Sequence, residues 1–149
     1  MQTIITSILN PNMNKRLFFL LNVAQKKLFK HVDKVCEETL DASVTQLAAL
    51  MYIEKQPGCS QKDLAKTLDL NKSAITGLVT RMEKNALLDR LVSEDDARAI
   101  KLWPTEAGLE KVKKLKPLID ELNNSLKQDF TEEEIETVLK FLNYILIKF

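Results

Sequence analysis

The sequence predicts a mainly α-helical fold with one small β wing, in which a winged helix-turn-helix lobe is bracketed by long N- and C-terminal helices. Three observations predict it. Apolar residues recur at helical spacing along most of the chain. Residues 44–108 read helix, short turn, helix, polar turn, helix, then two short apolar runs around a charged tip. With three Gly and four Pro in 149 residues, little chain is left for irregular loops.

The elements follow in order. Over residues 12–38 the spacing of Leu17, Leu20, Leu21, Ala24, Leu28, Val32 and Val35 predicts one long helix, with Phe18, Phe19 and Phe29 widening its apolar face. So broad a face needs a partner, within the domain or on another chain. After a break at residues 41–43, residues 45–55 form a compact helix stopped by Gln56-Pro57-Gly58. Ser60 caps the next helix, with Asp63 three residues on. Asn71 caps the third after the turn Asp69-Leu70. In the third helix Ala74, Ile75, Leu78, Val79 and Met82 are expected on a core face, and Lys72, Ser73, Thr76, Thr80, Arg81 and Lys84 on a polar one. Residues 87–92 and 99–103 are short enough to pair as strands. Thr105 opens a helix to about residue 128, which Pro117 should kink or split. Thr131 and Glu134 form a capping box for a last helix carrying Ile135, Val138, Leu139, Leu142, Ile145 and Leu146. We see no repeat and no linker, so residues 1–149 read as a single domain. Residues 12–40 and 105–149 form its flanking helices and residues 44–104 its lobe.

Composition bounds the function. Hydrophobic residues make up 45% and charged residues 29%, a globular mixture. The net charge of +1 gives no global support for nucleic-acid binding, so a DNA-binding patch must be local. No apolar run approaches the roughly 20 residues that span a bilayer, and the N-terminus lacks a basic segment and cleavage site. The expected location is cytoplasmic, with no membrane partner. Cys36 and Cys59 form no CxxC and read as reduced thiols.

Several motifs together resemble the MarR family of winged-helix transcription regulators. They are Ser60-Gln-Lys-Asp-Leu-Ala65, Asn71-Lys-Ser-Ala-Ile-Thr76, Leu87-Leu-Asp-Arg90, Asp96-Ala-Arg98 and Thr105-Glu-Ala-Gly108. The resemblance covers nearly the whole chain in layout. It implies a homodimer whose first and last helices intertwine, with two lobes on successive major grooves of a double-stranded DNA operator. It also implies a small aromatic or carboxylate effector that releases DNA from a crevice between lobe and flanking helices. We expect that crevice along the first helix, the helix at 45–55 and the start of the fifth. Two departures stand out. The family usually has Gly where Ala86 stands, and Asn85 is expected to take the left-handed turn instead. Gly77 inside the third helix costs roughly 1 kcal/mol against Ala; either a closer approach of backbone to DNA is its gain or the glycine is simple drift.

The residues themselves suggest roles. Ser73, Thr76 and Thr80 are small enough for a helix pressed into a groove and are candidates for base-edge and phosphate contacts. Lys72 and Arg81 suit phosphate, although Arg81 can instead pair with Asp96 or Glu83. Arg98, at the hairpin tip, suits the narrow minor groove. Arg90 and Lys101 are weaker candidates for the DNA backbone. The acidic run Glu94-Asp95-Asp96 is unusual for a DNA-facing loop. His31 reads as a partly buried interface histidine. No metal site and no cofactor are expected, since no cluster has ligand spacing. Lys34 is placed to lower the Cys36 pKa slightly.

The reading is a ligand-responsive, sequence-specific DNA-binding repressor acting as a homodimer. Two alternatives stay open: a winged-helix protein-interaction module without DNA binding, and a cysteine-based redox-sensing regulator. No catalytic constellation is present, so an enzyme is not expected.

Overall fold

The computed structural model describes residues 16–94, 96 and 99–149. The elements run α1 (Leu17–Leu40), α2 (Val44–Lys55), β1 (Cys59–Ser60), α3 (Gln61–Thr67), α4 (Lys72–Lys84), β2 (Leu88–Val92), β3 (Ile100–Pro104), α5 (Glu106–Lys127) and α6 (Glu132–Lys148). The part of the first expected helix at residues 12–15 lies outside the described residues.

Local chemistry sets most of the helix starts. The Ser43, Ser60 and Thr131 hydroxyls accept from the backbone N–H three residues on, and Gln46, Asp63 and Glu134 return the bond to the cap N–H. The Asn71 side chain accepts from Ala74 N at 2.8 Å. The Thr105 hydroxyl accepts from Gly108 N at 3.1 Å and so caps α5. Pro117 does not split α5, which continues unbroken through it.

The sheet has three antiparallel strands in the order β1-β3-β2. The β2–β3 hairpin pairs Leu88 with Pro104, Arg90 with Leu102 and Val92 with Ile100. Its tip closes through Ser93 N to Ala99 O and Ala99 N to Asp96 O. The sequence reading missed β1, since two residues carry no periodicity. Cys59 and Ser60 become a strand because Leu102 and Lys101 of β3 lie beside them.

The chain forms two compact units. The lobe, Leu28–Lys116, holds a core of Leu50, Ile53, Leu64, Ile75, Val79, Met82, Leu88 and Leu102, all buried. Ala74 does not join that core and is exposed. One residue step turns a helix by about 100°, which carries Ala74 to the edge of the face centred on Ile75. The described part of the other unit runs up to Lys27 and resumes over Pro117–Phe149. None of its described residues is buried. A cleft of about 880 Å³ there is lined by Phe18 and Leu21 of α1 and by Leu142, Ile145, Leu146 and Phe149 at the chain's end.

Candidate DNA-reading face

Two turns and a helix position α4. The α3–α4 turn closes at Asp69 (φ 52°), with Leu70 N bonded to Ala65 O at 2.9 Å. α4 then presents two chemically distinct faces. Ile75, Leu78, Val79 and Met82 are buried, while Lys72, Ser73, Thr76, Thr80, Arg81 and Lys84 are exposed. The apolar half fixes the helix on the lobe, and the other half presents hydroxyls and cations to solvent.

Gly77 lies in the outward half, one turn from Ser73. A Cβ built there meets only the Arg81 guanidinium, at 3.6 Å. Nothing in the lobe therefore demands glycine. Ser73, Gly77 and Arg81 form one wall of a cleft of about 440 Å³, and Ser43 and Thr45 stand on the other.

The end of α4 departs from expectation. Ala86, not Asn85, takes the left-handed conformation: φ is 55° at Ala86 and −86° at Asn85. Ala86 N bonds to Glu83 O and Leu87 N to Met82 O, both at 2.9 Å, which is the Schellman pattern. That pattern puts the left-handed residue directly after the cap, so Asn85 cannot substitute for it. The strain falls on a residue with a Cβ.

This turn is also where α5 docks. The Thr105 hydroxyl donates to Ala86 O at 2.6 Å, and Thr105 N bonds to Leu87 O at 3.2 Å. A Cβ on Gly108 would stand 2.2 Å from Leu87 O and 2.9 Å from Leu50 Cδ2. The Thr105 and Gly108 spacing thus fixes the end of α4 to the start of α5.

The remaining candidates divide. Arg90 Nε donates to Glu83 Oε2 at 2.8 Å, and Nη2 reaches the same oxygen. That hydrogen bond raises the Arg90 pKa, against the lowering effect of desolvation. Glu83 therefore binds Arg90, not Arg81, and ties the last turn of α4 to β2. Lys101 is half-buried, opposite Leu91 in the hairpin and Ser60 of β1. Arg98 lies outside the described residues. The sequence reading missed Gln61, whose amide Nε2 donates to Thr76 Oγ1 at 3.2 Å. A pair fifteen residues apart leaves no local pattern.

The other singled-out residues are plainly placed. His31 is exposed in the single chain. Lys34 pairs with Glu38 at 3.6 Å. The Cys36 pKa is raised, by burial first and by the Asp33 charge second, so the expected lowering by Lys34 is not found. Burial and then Asp63 likewise raise Cys59. The Asp63 pKa is held down by hydrogen bonds from the Ser60 hydroxyl and backbone N–H. Among the described residues no cluster of three His, Cys, Asp or Glu could hold a metal, and no helix is long and apolar enough to cross a membrane.

A three-helix lobe with a polar second helix of the helix-turn-helix and a β hairpin behind it is a winged helix-turn-helix domain. Residues 42–100 match the model of the MarR family. The chain is 28% identical over 127 residues to the HTH-type transcriptional regulator SarZ of Staphylococcus aureus (strain USA300), covering 85% of this chain and 82% of the relative. It is 26% identical over 96 residues to the HTH-type transcriptional regulator BilQ of Clostridioides difficile (strain CD3). That match covers 64% of this chain and 65% of the relative, just short of two thirds of its length. Among solved structures it resembles a mutant of S. aureus MepR bound to an oligodeoxyribonucleotide, with 25% identity and a TM-score of 0.60. The likeness covers 91% of this chain and 99% of that one.

Proposed function

We propose that this protein is a sequence-specific, double-stranded-DNA-binding transcription regulator that works as a homodimer and represses until a small effector binds. The observation that carries the DNA reading is the split of α4. Four residues anchor one side in the core, and Lys72, Ser73, Thr76, Thr80, Arg81 and Lys84 are exposed on the other. Short hydroxyl side chains allow a helix backbone close to base edges, and the flanking cations suit phosphate. The naming of SarZ and BilQ as transcriptional regulators and the oligodeoxyribonucleotide bound to MepR support the same reading. Arg98 and Lys101 complete the proposed contact set from the wing. Arg90 takes part through Glu83, which holds it to α4.

The homodimer reading is supported by the unit formed by the chain ends. Phe18 is 85% exposed, Leu146 79% and Phe149 94% in a single chain. A second copy is the simplest cover for that apolar surface, since monomers rarely expose so much. The effector reading is supported by a cavity of about 410 Å³ between the end of α1 and the start of α5, which presents Lys111 and Lys114. Of the three elements expected to line the crevice, α2 contributes nothing to this cavity. Lys111 Nζ already donates to Leu40 O, so Lys114 is the better partner for a carboxylate.

The test is a fluorescence-anisotropy titration against duplexes tiled over the DNA upstream of the protein's own coding sequence, at two salt concentrations. Binding should be selective for one duplex and weaken steeply with salt. Equal, weak binding to all duplexes would leave a protein-interaction module as the better account.

A further inference from the structure

We propose that Gln61, which precedes the recognition helix, is itself a base-reading residue, and that it reads an adenine while Thr76 holds it in place. The argument starts from one proton. The Thr76 hydroxyl donates to Lys72 O at 2.8 Å. A hydroxyl has a single hydrogen, so toward Gln61 it can only accept. The Gln61 amide must therefore present nitrogen to Thr76, as its Nε2 does at 3.2 Å. This puts the amide nitrogen on Thr76; where Thr76 takes the hydrogen trans to the oxygen, the other N–H and the carbonyl oxygen share one edge. A neighbouring donor and acceptor on one plane match adenine in the major groove, where N7 accepts and the N6 amino group donates.

The surroundings fit that task. Gln61 is the first residue of α3, so its backbone is held by the Ser60 cap. Its side chain shares a shallow depression with Ala65 and Ile75, and Lys62 and Lys72 stand at that depression as well. The two cations suit phosphates near the base. Thr76 lies in the first half of α4, where a recognition helix meets base edges. Its hydroxyl is fully occupied as a donor, which makes Thr76 a positioning residue for the amide rather than a second reader.

The inference rests on α4 entering the major groove, and the experiment keeps the two claims apart. The parent, Gln61→Ala, Thr76→Val and Thr76→Ser are titrated by anisotropy against the tightest upstream duplex and its single base-pair substitutions. They are also titrated against duplexes with 7-deazaadenine at each adenine in turn. For the parent, one symmetry-related adenine pair should matter most, its replacement weakening binding roughly 5- to 150-fold. Gln61→Ala should bind the unsubstituted duplex more weakly and lose that discrimination while keeping the others. Thr76→Val should relax the same position, and Thr76→Ser should restore it, an outcome that general damage to α4 would not give. Thermal unfolding checks that each variant is folded. A parent that selects no duplex overturns the DNA reading and this inference with it. A selective parent whose base preferences survive Gln61→Ala or Thr76→Val overturns this inference alone.

Discussion

The lobe and the unit made by the chain ends use similar residues to opposite effect. In the lobe, Leu50, Ile53, Leu64, Val79, Met82, Leu88 and Leu102 are wholly buried. In the other unit Leu142, Ile145 and Leu146 line an open cleft, and no described residue is buried. Each unit holds an amphipathic helix with a side-chain N-cap, α4 behind Asn71 in the lobe and α6 behind Thr131 in the other. What differs is the number of layers. The lobe closes α2, α3 and α4 under a sheet, so each apolar face meets another. The other unit, among its described residues, holds the start of α1, the end of α5 and all of α6, with no sheet over them. The lobe buries a core of its own, whereas the second unit leaves its apolar residues uncovered in the single chain.

The largest expected effect comes from breaking that second unit. Leu142→Glu combined with Leu146→Glu should convert a dimer to monomers by size-exclusion light scattering. An unpaired charge buried in an interface costs several kcal/mol. The lobe should keep its near-ultraviolet signature, and operator binding should collapse. Unaltered mass would mean that these faces are not the interface.

Next in size is a change inside the lobe. Gly108→Ala drives a methyl against Leu87 O and Leu50, and should destabilise by about 3 kcal/mol in urea unfolding. Gly108 is a lobe residue, so the loss belongs to the lobe. A change below about 0.5 kcal/mol would show that α5 docks more loosely than the geometry says.

Two smaller substitutions separate stability from binding. Ala86→Gly relieves a left-handed residue and should stabilise by about 1 kcal/mol with operator affinity unchanged. Gly77→Ala should also stabilise by about 1 kcal/mol, because its Cβ has room. Yet it should weaken operator binding if the α4 backbone approaches the bases. Thermal melts and anisotropy on the same samples read both. A Gly77→Ala variant that is more stable and binds equally well would make Gly77 a neutral substitution.

The smallest expected effect is on the thiols. Cys36 and Cys59 both have raised pKa values, so little thiolate exists at neutral pH, and iodoacetamide should label them slowly until the pH is well above the ordinary thiol range. Operator affinity should survive dilute peroxide and the Cys36→Ser, Cys59→Ser pair. Peroxide-driven release from the parent alone would favour a redox sensor.

How much of this was legible in the sequence follows from range. The caps at Ser60, Asn71 and Thr131 bond within three residues, and each was visible as a short motif. The core face of α4 followed from periodicity, apart from Ala74 at its edge. The turn at Ala86 was misplaced because side-chain preference pointed to Asn85, while the bonds to Met82 and Glu83 fix the position. β1, the Glu83–Arg90 pair and the Gln61–Thr76 bond all depend on segments meeting after folding. Periodicity along one helix or strand cannot show them. The docking of Gly108 on Leu87 O gives the Thr105-Glu-Ala-Gly108 motif a steric reason that the sequence alone did not supply.

The central claim is that two such chains, joined through their terminal helices, present two copies of α4 to one duplex. Multi-angle light scattering of the purified protein with its tightest upstream duplex tests this most directly. The account expects a complex whose mass equals two chains and one duplex. A complex of one chain per duplex, or free protein eluting as a monomer beside free DNA, would contradict it.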